Sequence, residues 1–258
     1  MTDSIRYALD AHIATITLSR SAKRNAFDLA MLKGLAEAYT RADDDPEVRV
    51  ILVLPEGGHF TAGLDLAEVG PAVASGQALF GSEGVDPLGL YGRRRKKPVV
   101  MGIRGYCFTI GIELALASDV IVAADDARFS QLEIKRGIFP FGGATLRMPR
   151  LGWHNAMRWL LTGEIFDAKE AHRVGLVQEV CAADELEEKA RAIATSIAKA
   201  APLGVMATLE SAFVAQHEGE AAGAAKLLEQ ARTLMGSDDA MEGMRSFVER
   251  REGVFQGK

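Results

Sequence analysis

An α/β fold is what this sequence predicts, and three observations carry it. Short runs rich in Val, Ile and Leu recur as far as residue 183, helical patterns fill the gaps between them, and the chain turns wholly helical after Val180. Strands alternating with helices call for a sheet whose faces the helices cover.

The strands are read in HIATITLS (12–19), VRVILVLPEG (48–57), PVVMGIRG (98–105), VIVAADD (120–126) and GLVQEVCAA (175–183), each bounded by Gly, Pro or acidic residues. Aliphatic and β-branched side chains at this density suit a buried sheet. Between the first two strands, Asp28 is placed to cap a helix whose Leu29, Leu32, Leu35, Ala36 and Tyr39 share one face, and Asp45 with Pro46 ends it. Residues 67–92 scatter Gly, Ser and Pro without a sustained period, which predicts a loop region carrying one short helix. Loops of that length in a compact domain commonly wall or cover a binding site. Asp167 with Glu170, and Asp184 with Glu187, have the spacing of capping boxes. From Pro202 helices rich in Ala, Leu and Met continue to the end, with no fixed-period repeat. The expected division is a core over 1–200 and a helical region over 201–258.

Composition excludes several function classes. A chain of 258 residues, 48% hydrophobic, can form one large core or a core with an appendage. Its net charge of −5 offers no general attraction to nucleic acid or anionic membranes. The opening MTDSIRYALD has neither the basic nor the apolar region of a secretion signal, and no apolar run is long enough to span a bilayer, so a cytoplasmic protein without membrane contact is expected. Cys107 and Cys181 are too few for a disulfide framework and are read as inert packing. His12, His59, His154, His172 and His217 share no metal-type spacing, so no metal site is expected. Neither a phosphate-binding G-x-x-x-x-G-K-[ST] nor a dinucleotide-binding G-x-G-x-x-G is present, and no G-x-S-x-G elbow presents a nucleophile. The basic run RRRKK (93–97) lacks interleaved aromatics and is read as a solvated surface.

What remains is a pair of carboxylates and a Gly-containing turn. Glu113 in GIELALAS falls in the first turn of a helix with little polar face; a carboxylate there is either favoured by the helix dipole or held buried for chemistry. Glu133 in FSQLEIKRG has Lys135 and Arg136 at hand, so a surface ion pair competes with an active-site role. GHFTAGLDL (58–66) follows a strand, and Gly63 would let backbone N–H groups point at a developing oxyanion. The competing reading is an ordinary turn with Asp65 capping a helix through Leu66 to Val69.

Over nearly its full length the chain resembles the enoyl-CoA hydratase/isomerase (crotonase) family. The resemblance runs through SAKRNAF (21–27), HFTAGLDL (59–66), the stretch from Lys97 to Thr145, that from Arg150 to Val180, and FVERREGVFQGK (247–258). It implies a spiral of repeated β-β-α units followed by a helical region that builds trimers, commonly stacked as hexamers. It implies an acyl-CoA thioester substrate and no separate cofactor, because coenzyme A is part of the substrate. Leu64 and Ile110 would each give one backbone N–H to the thioester oxygen. Arg24, Asn25, Ala26, Ala62, Gly63, Asp65 and Leu66 would line the CoA, mostly through backbone groups. Glu113 and Glu133 align with the two catalytic glutamates of the family's hydratases: Glu113 would deprotonate the attacking water and Glu133 would protonate C2.

The sequence departs from the family pattern at four positions. Thr109 and Ile110 stand where a Gly-rich turn is usual, Leu132 where Pro is common, and Phe141 where Gly is frequent, adding bulk near the acyl group. The expected activity is hydration of an enoyl-CoA. A double-bond isomerase relying mainly on Glu133 is the enzymatic alternative. A non-catalytic acyl-CoA or RNA-binding protein, drawing on RRRKK, is the third.

Overall fold

The structure is a computed structural model that describes residues 4–81 and 83–258. Its strands are β1 (Ile5–Asp10), β2 (Ile13–Leu18), β3 (Val50–Pro55), β4 (Val99–Ile103), β5 (Tyr106–Phe108), β6 (Val120–Ala124), β7 (Arg128–Ser130), β8 (Phe166–Asp167) and β9 (Glu179–Cys181). The helices are α1 (Leu29–Asp44), α2 (Leu66–Ala74), α3 (Ile110–Leu116), α4 (Ala144–Arg147), α5 (Trp153–Thr162), α6 (Ala168–Arg173), α7 (Leu186–Lys199), α8 (Pro202–Glu218), α9 (Glu220–Met235) and α10 (Asp238–Glu249).

β1-β2-β3-β4-β6-β9 form one six-stranded sheet, antiparallel only between β1 and β2. β5-β7-β8 form a second, three-stranded sheet. The chain therefore spirals: β4 lies in the large sheet, β5 in the small one, and α3 follows; β6 and β7 repeat the step, ending in a short 3-10 turn at Glu133–Arg136. The turn before them is an abbreviated version, β3 leading through Thr61, which bridges Cys107, into α2. This is the β-β-α spiral that the family resemblance implies.

Side-chain alternation explains why the large sheet is buried on both faces. Val50, Leu52 and Leu54 join Val100 and Val122 under α7, whose Leu186, Ala190, Ala194 and Ala198 line the contact. Ile51 and Val53 point the other way, into the main core with Val99, Met101 and Ile121. Small residues let α7 approach closely: a Cβ on Gly102 would lie 2.6 Å from Leu54 and 3.5 Å from Ala190.

The five expected strands are present, with trimmed ends, and the Asp28 side chain caps α1 by accepting from the Met31 N–H at 2.7 Å. Leu29 departs from the expected face and is exposed, because it precedes the buried stripe that Met31, Leu32, Leu35, Ala38 and Tyr39 form. Asp167 accepts from the Glu170 N–H, but Glu170 turns to Arg173 instead of closing the box. Asp184 caps nothing: α7 starts one residue late, after Glu185, without a side-chain cap.

The RRRKK run is not the solvated surface expected. Arg93 pairs with Asp43 and Asp44, Arg95 pairs with Asp119, Arg94 lies over the Phe213 ring, and buried Lys97 donates to the Ala42 and Asp45 carbonyls. The cations tie α1, β6 and α8 together, which leaves little of the run for an RNA backbone. Among the described residues, no single helix is long and apolar enough to cross a membrane.

Candidate active site

Two chain segments meet at one rim of the small sheet. In the first, Arg24 and Asn25 both take left-handed backbone (φ 52° and 53°), and the Ala62 N–H donates to the Arg24 carbonyl at 2.9 Å. Asn25 is fully buried; its amide donates to the Glu56 and His59 carbonyls and its oxygen accepts from the Arg20 N–H. Its side chain is a strut, and its backbone is engaged as well: its N–H donates to the Arg20 carbonyl at 3.0 Å and its carbonyl accepts from Thr61 Oγ1 at 2.7 Å. Arg20 pairs with Asp28 at 3.0 Å and Asp65 at 3.2 Å and donates to the Ala26 carbonyl, clasping residues 24–28 to residues 62–65. Asp65 is thus held by an ion pair and makes no side-chain cap on α2. Outside this clasp, Arg24 lies 5.7 Å from the centre of the Tyr106 ring, which stacks between His59 and Phe108.

The clasp presents Leu64. The Phe27 N–H donates to the Gly63 carbonyl and the Asp65 N–H to the Phe27 carbonyl, both at 2.8 Å; the Leu64 N–H between them has no acceptor among the described residues. Across from it, the Thr109 N–H is taken by Ser130, while the Ile112 and Glu113 N–H groups donate to the Thr109 carbonyl. The Ile110 N–H, at the start of α3, is left without an acceptor among the described residues. The two turns are in contact, since a Cβ on Gly63 would lie 2.4 Å from Thr109 Oγ1.

α3 delivers Glu113 into the interior, 3% exposed. Its Oε1 accepts from the Gly142 N–H at 2.6 Å and the Ala144 N–H at 3.3 Å. Burial pushes its pKa up to about 7, against the opposing pull of those N–H groups and of Arg147. Glu133 is 7% exposed at the start of its 3-10 turn, and burial raises its pKa to about 8, with the charge of Glu113 adding to the rise. The expected ion pair with Lys135 and Arg136 does not form: the turn points both cations outward, exposed, and neither is among the charges acting on Glu133. Buried Gln131 sets its side-chain amide against both oxygens of Glu133, at 3.0 and 2.9 Å, turned so that its nitrogen donates to them when Glu133 is ionised.

A family model described as enoyl-CoA hydratase/isomerase matches residues 9–258. The chain belongs to the enoyl-CoA hydratase/isomerase family. The carnitinyl-CoA dehydratases of Salmonella typhimurium and Citrobacter koseri are each 36% identical to it over 270 aligned positions, covering both chains completely. Among solved structures, a probable enoyl-CoA hydratase/isomerase from Mycobacterium abscessus is 46% identical with a TM-score of 0.95, covering 99% of each chain. The enoyl-CoA hydratase from Mycobacterium tuberculosis is 32% identical with a TM-score of 0.90 over both full lengths.

Against the family pattern, the departures have visible consequences. Phe141, half-buried, lines a cavity of about 910 Å³ together with Leu66, Val73, Phe80, Leu88 and Phe139, so the residue-67–92 region and the loop after Glu133 build opposite walls of one apolar space. Leu132 takes helical backbone (φ −84°) and its carbonyl accepts from the Lys135 N–H, opening the turn that carries Glu133. Thr109 takes φ 51° and ψ −114°, a conformation usually left to glycine. Sequence reasoning missed Gly142, Ala144, Gln131 and Arg147 as partners of the two glutamates. Gln131, two residues before Glu133, is the one whose type was a signal: a buried amide beside a buried acid.

Proposed function

We propose that this enzyme is an enoyl-CoA hydratase, adding water across the C2=C3 double bond of an enoyl-CoA thioester. The observation that carries the reading is the burial of two glutamates, one on the helix that Ile110 opens and one in the 3-10 turn after β7, beside two turns with unpaired N–H groups. The thioester oxygen would accept from Leu64 and Ile110, drawing electron density from C3 toward oxygen; each such donor is worth on the order of 10²- to 10³-fold in rate. Glu113, with Oε1 fixed by two backbone N–H groups, has Oε2 left to take a proton from the attacking water. Glu133, protonated near neutral pH by its raised pKa, supplies the proton to C2. One turnover moves a proton from Glu133 to C2 and one from water to Glu113; transfer between the carboxylates or exchange with solvent restores the start.

The names of the curated relatives support this reaction class, since a dehydratase runs the same chemistry in the opposite direction. The acyl group would enter the cavity bounded by Phe141 and Leu66, while Arg24–Ala26 and Ala62–Leu66 would hold the CoA. The cavity's lining is largely apolar and aromatic, and its buried carboxylate, Asp86, is engaged by backbone N–H groups, which suits an apolar acyl group. We also propose that residues 201–258 self-associate into a trimer or hexamer, a reading supported by solvent-facing Leu228, Phe247 and Val248.

The test is turnover of enoyl-CoA thioesters of graded chain length by the wild type, Glu113→Gln and Glu133→Gln. Losses of at least about 10²-fold in both variants are expected. Unchanged turnover in both would sink the two-carboxylate mechanism, and double-bond migration lost only in Glu133→Gln would make the enzyme an isomerase.

A further inference from the structure

Thr109 combines two features that nothing else in the described structure combines. Six non-glycine residues have positive φ (Ala11, His12, Arg24, Asn25, Thr109 and Arg250), and Thr109 is the one β-branched member. Among the described residues three buried side-chain polar atoms have no hydrogen-bond partner, Tyr7 Oη, Thr109 Oγ1 and Arg147 Nη1, and only Thr109 belongs to both sets. A β-branched residue in that backbone region is strained, at a cost comparable to a lost hydrogen bond. An orphaned buried hydroxyl costs a similar amount. Glycine would remove both costs, and valine would fill the same volume without the second. The resting fold gives the hydroxyl no partner that would offset them.

The position of the hydroxyl says what does. Thr109 Oγ1 stands against Gly63, 2.4 Å from where a Cβ on that glycine would be, and the Thr109 Cβ and Cγ2 are 3.5 Å from the same point. Gly63 is bonded directly to the Leu64 nitrogen, and Thr109 to the Ile110 nitrogen. The hydroxyl therefore sits in the seam between the two turns that present unpaired N–H groups, a few covalent bonds from each. The hydroxyl is closed off from solvent at rest, so an oxygen held by those two N–H groups would meet it only by opening this seam. Gly63 is the residue that makes room: any side chain there would displace the hydroxyl.

The geometry points to the Thr109 hydroxyl as a third hydrogen-bond donor to the thioester oxygen, engaged when negative charge develops on that oxygen. This rests on the acyl-CoA reading above. The hydroxyl has no partner in the resting protein because its acceptor belongs to the substrate, and the strained backbone is the cost of aiming it.

The test compares the wild type with Thr109→Val, Thr109→Ser and Thr109→Gly. Turnover is measured on the preferred enoyl-CoA, and affinity on two probes: a β-ketoacyl-CoA, whose enolate shares its negative charge between the thioester and C3 oxygens, and a saturated acyl-CoA, whose carbonyl carries no such charge. For Thr109→Val we expect kcat and enolate affinity to fall roughly 10- to 100-fold, the size of a hydrogen bond to a charged group, with saturated acyl-CoA affinity unchanged. Thr109→Ser should retain most of both. Thr109→Gly should lose activity while its melting temperature rises, an opposition that a merely structural threonine would not produce. Val and Ser variants behaving alike, or a Val variant with wild-type turnover and enolate affinity, would overturn the proposal. A wild type that binds both probes but turns over no enoyl-CoA would count against the hydratase reading alone, with the affinity pair still deciding the role of Thr109. A wild type that binds neither probe would remove both.

Discussion

The Gly142 N–H donates to Glu113 Oε1 at 2.6 Å, and a Cβ on Gly142 would stand 2.2 Å from Glu113 Oε2. The same residue orients the carboxylate and leaves it just enough room. Gly142→Ala must move Glu113 or the loop carrying the alanine, and either shift misplaces the group proposed to handle water. Overpacking of this kind costs about 1–3 kcal/mol of stability. Displacement by about 1 Å at a reacting group costs on the order of 10²-fold in rate. We expect kcat to fall by about that factor while the melting temperature drops only modestly, measured by steady-state turnover beside thermal unfolding.

The glutamate pair sets the pH response of both activity and stability. With Glu113 raised to about 7 and Glu133 to about 8, the pair is correctly charged, base ionised and acid protonated, between those values. Turnover should trace a bell with its maximum there, its limbs belonging to the pair as a unit. Glu133→Gln should remove the alkaline limb along with most activity. For stability, both folded pKa values lie above those of the unfolded chain, so the folded state holds more protons between about pH 4.5 and 8. Their contribution is full below about pH 4.5 and lost as pH rises through 7 and 8. Each Gln variant should therefore gain stability relative to wild type on going from pH 5 to pH 8.5, by the order of 1 kcal/mol or more in denaturant titrations. A pH-independent difference would contradict the raised pKa values.

How far the sequence could be read is visible in where it failed. Asp28 announced α1 because a cap acts within three residues, and the long aliphatic runs announced β2, β3, β4 and β6. β5, β7 and β8 are two or three residues long, too short to show a period, yet they form the sheet at whose rim the site lies. Lys135 and Arg136 looked like partners for Glu133 because they are near it in sequence, but the 3-10 turn puts acid and cations on opposite sides. RRRKK looked solvated because Asp43, Asp44 and Asp119 are supplied by distant segments. The donors to Glu113 are backbone N–H groups, which no residue letter reveals. Recognition of Leu64, Ile110 and the two glutamates came from the family pattern, since local chemistry left each of them with a competing explanation.

Asp86 knots one wall of the cavity proposed to take the acyl group. It is 3% exposed, and its carboxylate accepts from the N–H groups of Leu88 at 2.8 Å, Leu90 at 2.7 Å and Tyr91 at 2.9 Å. The turn so formed offers the Leu88 carbonyl to Arg147 at 2.7 Å, joining the wall to α4 beside Glu113. Asp86→Ala orphans three N–H groups at once and should cost about 1–3 kcal/mol or more. Because the damage falls on the wall, discrimination among long acyl chains should weaken more than turnover of a four-carbon substrate. Chain-length profiles of kcat/KM for the two proteins would check this; equal losses at every length would mean that the knot serves the fold alone.

The size and lining of that cavity make a statement about substrate preference. A space of about 910 Å³ walled by Phe80, Leu88, Phe139 and Phe141 is far larger than a four-carbon acyl group. Each methylene that it takes from water is worth about 0.8 kcal/mol, roughly a four-fold gain in affinity. kcat/KM should therefore climb by about two- to four-fold per methylene until the cavity is filled, then level off. Phe141→Ala removes a ring from the wall nearest Gly142 and should move the plateau toward bulkier acyl groups. A shift of about 10-fold in the ratio of long to short substrates is the scale expected for one altered pocket contact. Competition assays pairing a short with a long enoyl-CoA read that ratio directly. A wild-type preference for the shortest substrate, unchanged in Phe141→Ala, would place the acyl group elsewhere.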